Sequence, residues 1–147
     1  MWPFNKSSLK YVEGPYMSSN PKEIALEYAN NIWNHKDISI IDKLVCPDVL
    51  IHSTLGVYHG TQALRDVVQV WLTGFPDLKV ENDIVIAEND LVSIQWRARG
   101  THKGEFKGKK PSGKPVAYSG VTVYRIKDGQ IVEYWAYLDM QHLLAQI

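Results

Sequence analysis

A chain of 147 residues that is 45% hydrophobic and 22% charged forms one ordinary domain with a real core and is not a disordered segment. Its 16 basic and 16 acidic residues cancel, which speaks against a nucleic-acid binder; a single cysteine, Cys46, excludes an intrachain disulfide and gives no zinc spacing. No apolar run approaches the roughly 18 residues of a membrane span, and the first residues lack a basic region followed by an apolar stretch, so the expected compartment is the cytoplasm.

Residues 1–19 mix Gly, Pro, Ser and Lys with scattered aromatics and no period. They read as an N-terminal extension, with 20–147 as a single domain. Asn20-Pro21-Lys22-Glu23 is a helix start, with Asn as N-cap, Pro at the first helical position and Glu at the third. Ile24, Tyr28 and Ile32 then recur at helical spacing, flanked by Ala25, Ala29 and Trp33. A shorter helix is expected over Ser39–Leu44, stopped by Pro47. Cys46 reads as a small buried residue. Val49–Thr54 reads as a strand. Over Thr61–Leu72 the pattern predicts a helix with Leu64, Val67, Val68, Trp71 and Phe75 on one face.

The rest reads as strand. Leu78–Ala87 turns at Glu88-Asn89 into Asp90–Thr101. Val116–Ile126 turns at Asp128-Gly129, a hairpin signal, into the last strand. Between the hairpins, Lys103–Lys114 is rich in Lys, Gly and Pro and reads as a long exposed loop or bulged strand. Leu143, Leu144 and Ile147 close a short terminal helix. Helices first, then long antiparallel strands, describe an α+β fold. A curved sheet around a long helix leaves a cone with an apolar interior. Five tryptophans and eight tyrosines suit the lining of a cavity for an apolar or aromatic small molecule, although core and interface compete for the same residues.

The last strand carries the sharpest chemical signal. A period of two places Glu133, Trp135, Tyr137 and Asp139 on one face. A carboxylate beside aromatic walls is a candidate general base, while Asp139 also reads as an N-cap for the helix after it.

Several stretches, in order, resemble the SnoaL-like polyketide cyclase family of the nuclear-transport-factor-2-like superfamily. They are His52 before Gly60, Gly74-Phe75-Pro76-Asp77-Leu78, and Trp96 through Phe106. Gly108, Pro111, Ser112, Gly113 and Lys114 follow, then Asp128 through Trp135, and Asp139. The similarity runs from about Glu23 to the C-terminus. It implies a cone-shaped, curved antiparallel or mixed sheet wrapped around the long N-terminal helix, a deep apolar pocket and commonly a homodimer. It also implies ring closure by an intramolecular aldol step without metal or cofactor, with an Asp in the position of Asp139 as acid/base. A shared fold does not by itself transfer activity.

On this reading the candidate catalytic residues are Asp139, His52 and His102. His52 matches a frequent histidine of the family, and His102 follows Gly100-Thr101 at a strand end. The candidate substrate walls are Tyr28, Trp33, Trp71, Phe75, Trp96, Tyr118, Trp135 and Tyr137. No His-x-x-x-His spacing is present, so no metal is expected. Arg97 and Arg99 share a face, expected to point outward. Three functions compete. The first is a cofactor-free cyclase using Asp139 as base. The second is a non-catalytic binding protein for the same apolar ligand. The third is an isomerase or epoxide-hydrolase-like enzyme, for which no second inward Asp is evident. The expected partners are a small apolar or aromatic ligand and a second copy of the chain.

Overall fold

The computed structural model describes residues 20–147; the expected N-terminal extension lies outside the described residues. The first helix, α1 (Pro21–Trp33), is capped by the Asn20 side chain, which accepts the Lys22 N–H at 3.0 Å. It buries Ile24, Ala25, Tyr28, Ala29 and Ile32. α2 (Ile40–Leu44) follows and leads directly into β1 (Val45–Ser53) and β2 (Gly56–His59). α3 (Thr61–Gly74) buries Leu64, Val67, Val68 and Trp71 along one stripe, as the i, i+3, i+4, i+7 spacing demands.

Four long strands come next: β3 (Lys79–Glu88), β4 (Leu91–Thr101), β5 (Pro115–Lys127) and β6 (Gln130–Leu138). The chain ends in α4 (Met140–Leu144). The sheet order is β2-β1-β6-β5-β4-β3. All neighbours are antiparallel except β1 and β6, which pair in parallel through Ile51 with Tyr134 and His52 with Trp135. The result is an α+β molecule with a curved, unclosed mixed sheet.

Local chemistry accounts for the joints. Asp128 and Gly129 both take positive φ, 51° and 76°, as the two-residue β5–β6 hairpin requires. The β3–β4 turn falls at Asn89 and Asp90, one residue later than expected, with Asn89 at φ 55°. β1 starts at Val45 rather than Val49, and Pro47 sits in it. A register irregularity between Val45 and Leu50 is what admits a residue with no N–H to donate. Cys46 is half-buried rather than buried. β2, only four residues long, is an additional strand at the sheet edge.

The Asn34 amide fastens the end of α1 to β3. It donates to the Val80 carbonyl at 2.9 Å and accepts the Val80 N–H at 2.8 Å. At the other end, the Gln146 amide pairs with both main-chain groups of Ala117, at 2.9 and 3.0 Å. It thus replaces a strand partner where β6 has already ended.

Two buried clusters form the core. One gathers α1, α2, β1, Leu64 and Val68 of α3 and inward residues of β4 to β6; the other gathers Val67 and Trp71 of α3 with Phe75, Ala98, Phe106, Val116, Tyr118 and Leu143. They meet at Trp33, Tyr58 and Trp96, which pack against both. No helix among the described residues is long and apolar enough to cross a membrane.

Candidate functional site

Between the two clusters lies a cavity of about 70 Å³. Tyr28, Ala29 and Trp33 of α1 and Val67 and Trp71 of α3 line it from the helical side. From the sheet come Val80 and Asn82 of β3, Ile94, Trp96 and Ala98 of β4, Tyr118, Thr122 and Tyr124 of β5, and Tyr134, Ala136 and Leu138 of β6. Ser53, Thr54 and Leu78 complete the wall. None of these lining residues carries a formal charge.

The aromatic walls brace one another. Tyr118 stacks on Trp71 with ring centroids 5.9 Å apart and meets Trp96 edge-on at the same distance. The Trp96 indole N–H donates to Thr122 Oγ1 at 2.9 Å. Burial of the phenols raises the pKa of Tyr28, Tyr118, Tyr124 and Tyr134 well above the ordinary tyrosine value. These four rings are therefore neutral hydroxyls at physiological pH. Gly120 makes room for Trp96, because a Cβ there would lie 2.5 Å from the indole and 2.4 Å from the Tyr137 carbonyl oxygen.

Of the eight expected walls, Tyr28, Trp33, Trp71, Trp96 and Tyr118 line the cavity. Phe75 lies behind it, fully buried, with its ring 6.3 Å from Trp71. Trp135 and Tyr137 are corrected: they stand on the opposite face of β6, and Tyr137 is 60% exposed. The inward residues are Tyr134, Ala136 and Leu138. The period of two holds, but β6 carries aromatics on both faces and it is the Tyr134 face that turns to the cavity.

The three candidate catalytic residues also lie outside the cavity lining. Asp139 is exposed and caps α4, its Oδ1 accepting the His142 N–H at 2.9 Å. His52 sits on the outer face, stacked on Trp135 at 5.3 Å with an interplanar angle of 1°. Its Nε2 lies 3.1 Å from Glu133 Oε2. Arg125 joins this group, with Nε 3.9 Å from Glu133, its guanidinium 5.8 Å from the Trp135 ring, and Nη1 3.0 Å from Asp90. The cluster ties β1, β5 and β6 together on their outer side.

His102 is fully buried but anchors a loop. Its Nδ1 accepts the Ser112 N–H at 3.1 Å and lies 2.9 Å from Ser112 Oγ. An accepting Nδ1 places the proton of the neutral ring on Nε2. Arg97 is outward as expected, held by Asp83 and Glu81 at 2.6 and 2.9 Å.

Asn82, Thr122 and Tyr134 are cavity residues that strand patterning did not single out. The signal for Asn82 was available: it is a polar residue at an inward position, between Val80 and Val85.

What the curved mixed sheet and the helices that cover it define is a protein of the cone-shaped α+β class. The chain belongs to the SnoaL-like polyketide cyclase family, whose model matches residues 23–147. Among solved structures it is similar to AclR from Streptomyces galilaeus, described as a candidate hydroxylase. The identity is 32% and the TM-score 0.76, over 88% of this chain and 81% of that one. It is also similar to IdmH from Streptomyces antibioticus, a candidate polyketide cyclase. There the identity is 28% and the TM-score 0.75, over 86% of this chain and 97% of that one. A candidate SnoaL-like polyketide cyclase from Jannaschia sp. CCS1 shares the fold, with 23% identity and a TM-score of 0.78 over 91% and 97% of the two chains. No curated protein matches the sequence.

Proposed function

We propose that the protein binds a neutral, largely apolar aromatic molecule in the cavity between α1, α3 and the sheet. The observation that carries this reading is the lining: tryptophan and tyrosine rings with a few neutral hydrogen-bonding groups and no charge. A charged ligand would lose its hydration there without gaining a partner. Aromatic faces and edges, by contrast, offer favourable packing to a flat ring system. Titration calorimetry with 2-naphthol and with 2-naphthoate tests the idea. Binding of the neutral compound at least about tenfold tighter than the carboxylate is expected. Equal or tighter binding of the carboxylate sinks it.

A second reading, intramolecular aldol ring closure without cofactor and with Asp139 as acid/base, is favoured by the family match over residues 23–147. Asp139 also directly follows Leu138, a lining residue at the end of β6. Asp139→Asn separates the two readings, because Asn caps a helix about as well as Asp. Under ring closure the variant retains ligand affinity but loses turnover of a cyclisable diketone by roughly 10²-fold or more. Under the binding reading it leaves every measurable function unchanged.

A further inference from the structure

We infer that Asn82 and Tyr28 are the two polar anchors of the cavity, and that they select a flat neutral ligand bearing a hydrogen-bonding oxygen at each end. This inference rests on the proposed binding of a neutral aromatic molecule and narrows it to a substrate class.

The cavity wall contains few polar atoms, and most are satisfied within the protein. The Trp96 N–H is committed to Thr122, and the Thr122 hydroxyl also reaches Tyr124. Two lining atoms are different. Asn82 Oδ1 and Tyr28 Oη are buried and have no well-formed hydrogen bond among the described residues. The Tyr134 hydroxyl lies near enough to that of Tyr28 for the two to interact, and Tyr124 acts on it electrostatically, but no hydrogen bond of regular geometry reaches the Tyr28 hydroxyl. Buried polar atoms without partners are rare in folded proteins, and each calls for an explanation.

Asn82 points inward by ordinary strand alternation, and the slip that follows it turns Ile84 outward. β3 alternates inward through Val80 and Asn82, then slips register between Asn82 and Ile84. After the slip Val85 is the next inward residue, and Ile84 is 50% exposed. Bulges of this kind re-aim side chains beside binding sites. An apolar residue would fill the position more cheaply, and the sequence spends an amide there instead.

The two anchors belong to different cross-strand rows. Asn82 shares a cross-strand row with Trp96 and Gly120. Tyr28 packs edge-on to Tyr124 at 5.9 Å, and Tyr124 shares its row with Val92 and Tyr134. From Trp96 to Val92 is four residues of β4, roughly 13 Å of strand. Each row is assigned its own ligand oxygen. The geometry calls for an elongated aromatic or fused-ring molecule. It carries a hydroxyl to donate to Asn82 at one end, and a hydroxyl or carbonyl to accept from Tyr28 at the other.

The test is a calorimetric series with naphthalene, 2-naphthol and 2,6-dihydroxynaphthalene on the full chain and on Asn82→Leu and Tyr28→Phe. The expected result is a gain of about tenfold in affinity for each hydroxyl added. Each variant then loses about tenfold for the dihydroxy compound while naphthalene binding stays within about twofold. Asn82→Val, a better strand former that also lacks a hydrogen-bonding group, stands in if the leucine variant fails to fold. Equal binding of all three compounds by the unaltered protein overturns the two-anchor assignment but leaves the neutral-ligand reading intact, as does an equal loss for all three in the variants. No binding of any of them overturns both.

Discussion

Gly104 sits where no side chain fits. A Cβ built there would lie 1.9 Å from the Thr73 carbonyl oxygen and 2.8 Å from its carbon. The close approach exists because the Lys103 and Gly104 N–H groups both donate to the Gly74 carbonyl, at 3.1 and 3.2 Å. These bonds occupy the C-terminal end of α3, whose last carbonyls have no intrahelical donors. Gly104→Ala therefore has to push the loop off the helix and break both bonds. A loss of roughly 3 kcal/mol or more is expected, in the range reserved for clashes and broken buried networks. Urea denaturation checks it through the midpoint at unchanged slope. A midpoint near that of the unaltered protein would show the contact to be soft. Asp139 illustrates the opposite case: an exposed residue whose cap is worth about 1 kcal/mol. Its visible task is structural, and only the Asn substitution, which spares the cap, isolates any chemical one.

At the scale of elements, the loop between β4 and β5 is a brace. Its lysines face outward, but Phe106 is 1% exposed and wedged between Trp71 and Phe75, with centroids 4.9 and 5.0 Å away. Trp71 is itself a cavity wall. Phe106→Ala should then cost about 3–5 kcal/mol and also weaken ligand binding, by freeing Trp71 to collapse into the space left behind. Denaturation and calorimetry on the same variant measure both; a stability loss with unchanged affinity would show that the wall holds without its brace. The helices and hairpins were legible in the sequence because their signals are local: the Asn20-Pro21 start, the Leu64-to-Trp71 stripe and the Asp128-Gly129 turn. Sidedness was not. Tyr134 and Trp135 are adjacent, large and aromatic, and nothing local says which of them faces the helices. That is decided by where α1 and α3 pack, a long-range property. The loop was legible as a loop but not as a brace, because Phe106 shows its role only once α3 lies beside it.

Across the whole molecule, four buried phenols set a limit on alkaline stability. Burial raises the pKa of Tyr28, Tyr118, Tyr124 and Tyr134 in the folded state, while the unfolded chain titrates them near the ordinary value of about 10. Below that pH both states hold the protons and stability is complete. Above it the unfolded state has released protons that the folded state still binds, so stability falls as pH rises toward the raised folded values. Each such proton contributes about 1.4 kcal/mol per pH unit. Four together remove roughly 5 kcal/mol per unit, set against a typical total of about 5–15 kcal/mol. Unfolding is therefore expected within about one to three pH units above about 10, and it should be cooperative. Absorbance at 295 nm, reporting phenolate, and far-ultraviolet circular dichroism, reporting fold, should change together for these four rings. Tyr28→Phe removes one of the coupled protons, which makes the loss of stability less steep with pH. Ionisation of all the tyrosines near pH 10 with the fold intact would mean that water reaches the cavity freely, and the case for a desolvated site for a neutral ligand would fall with it.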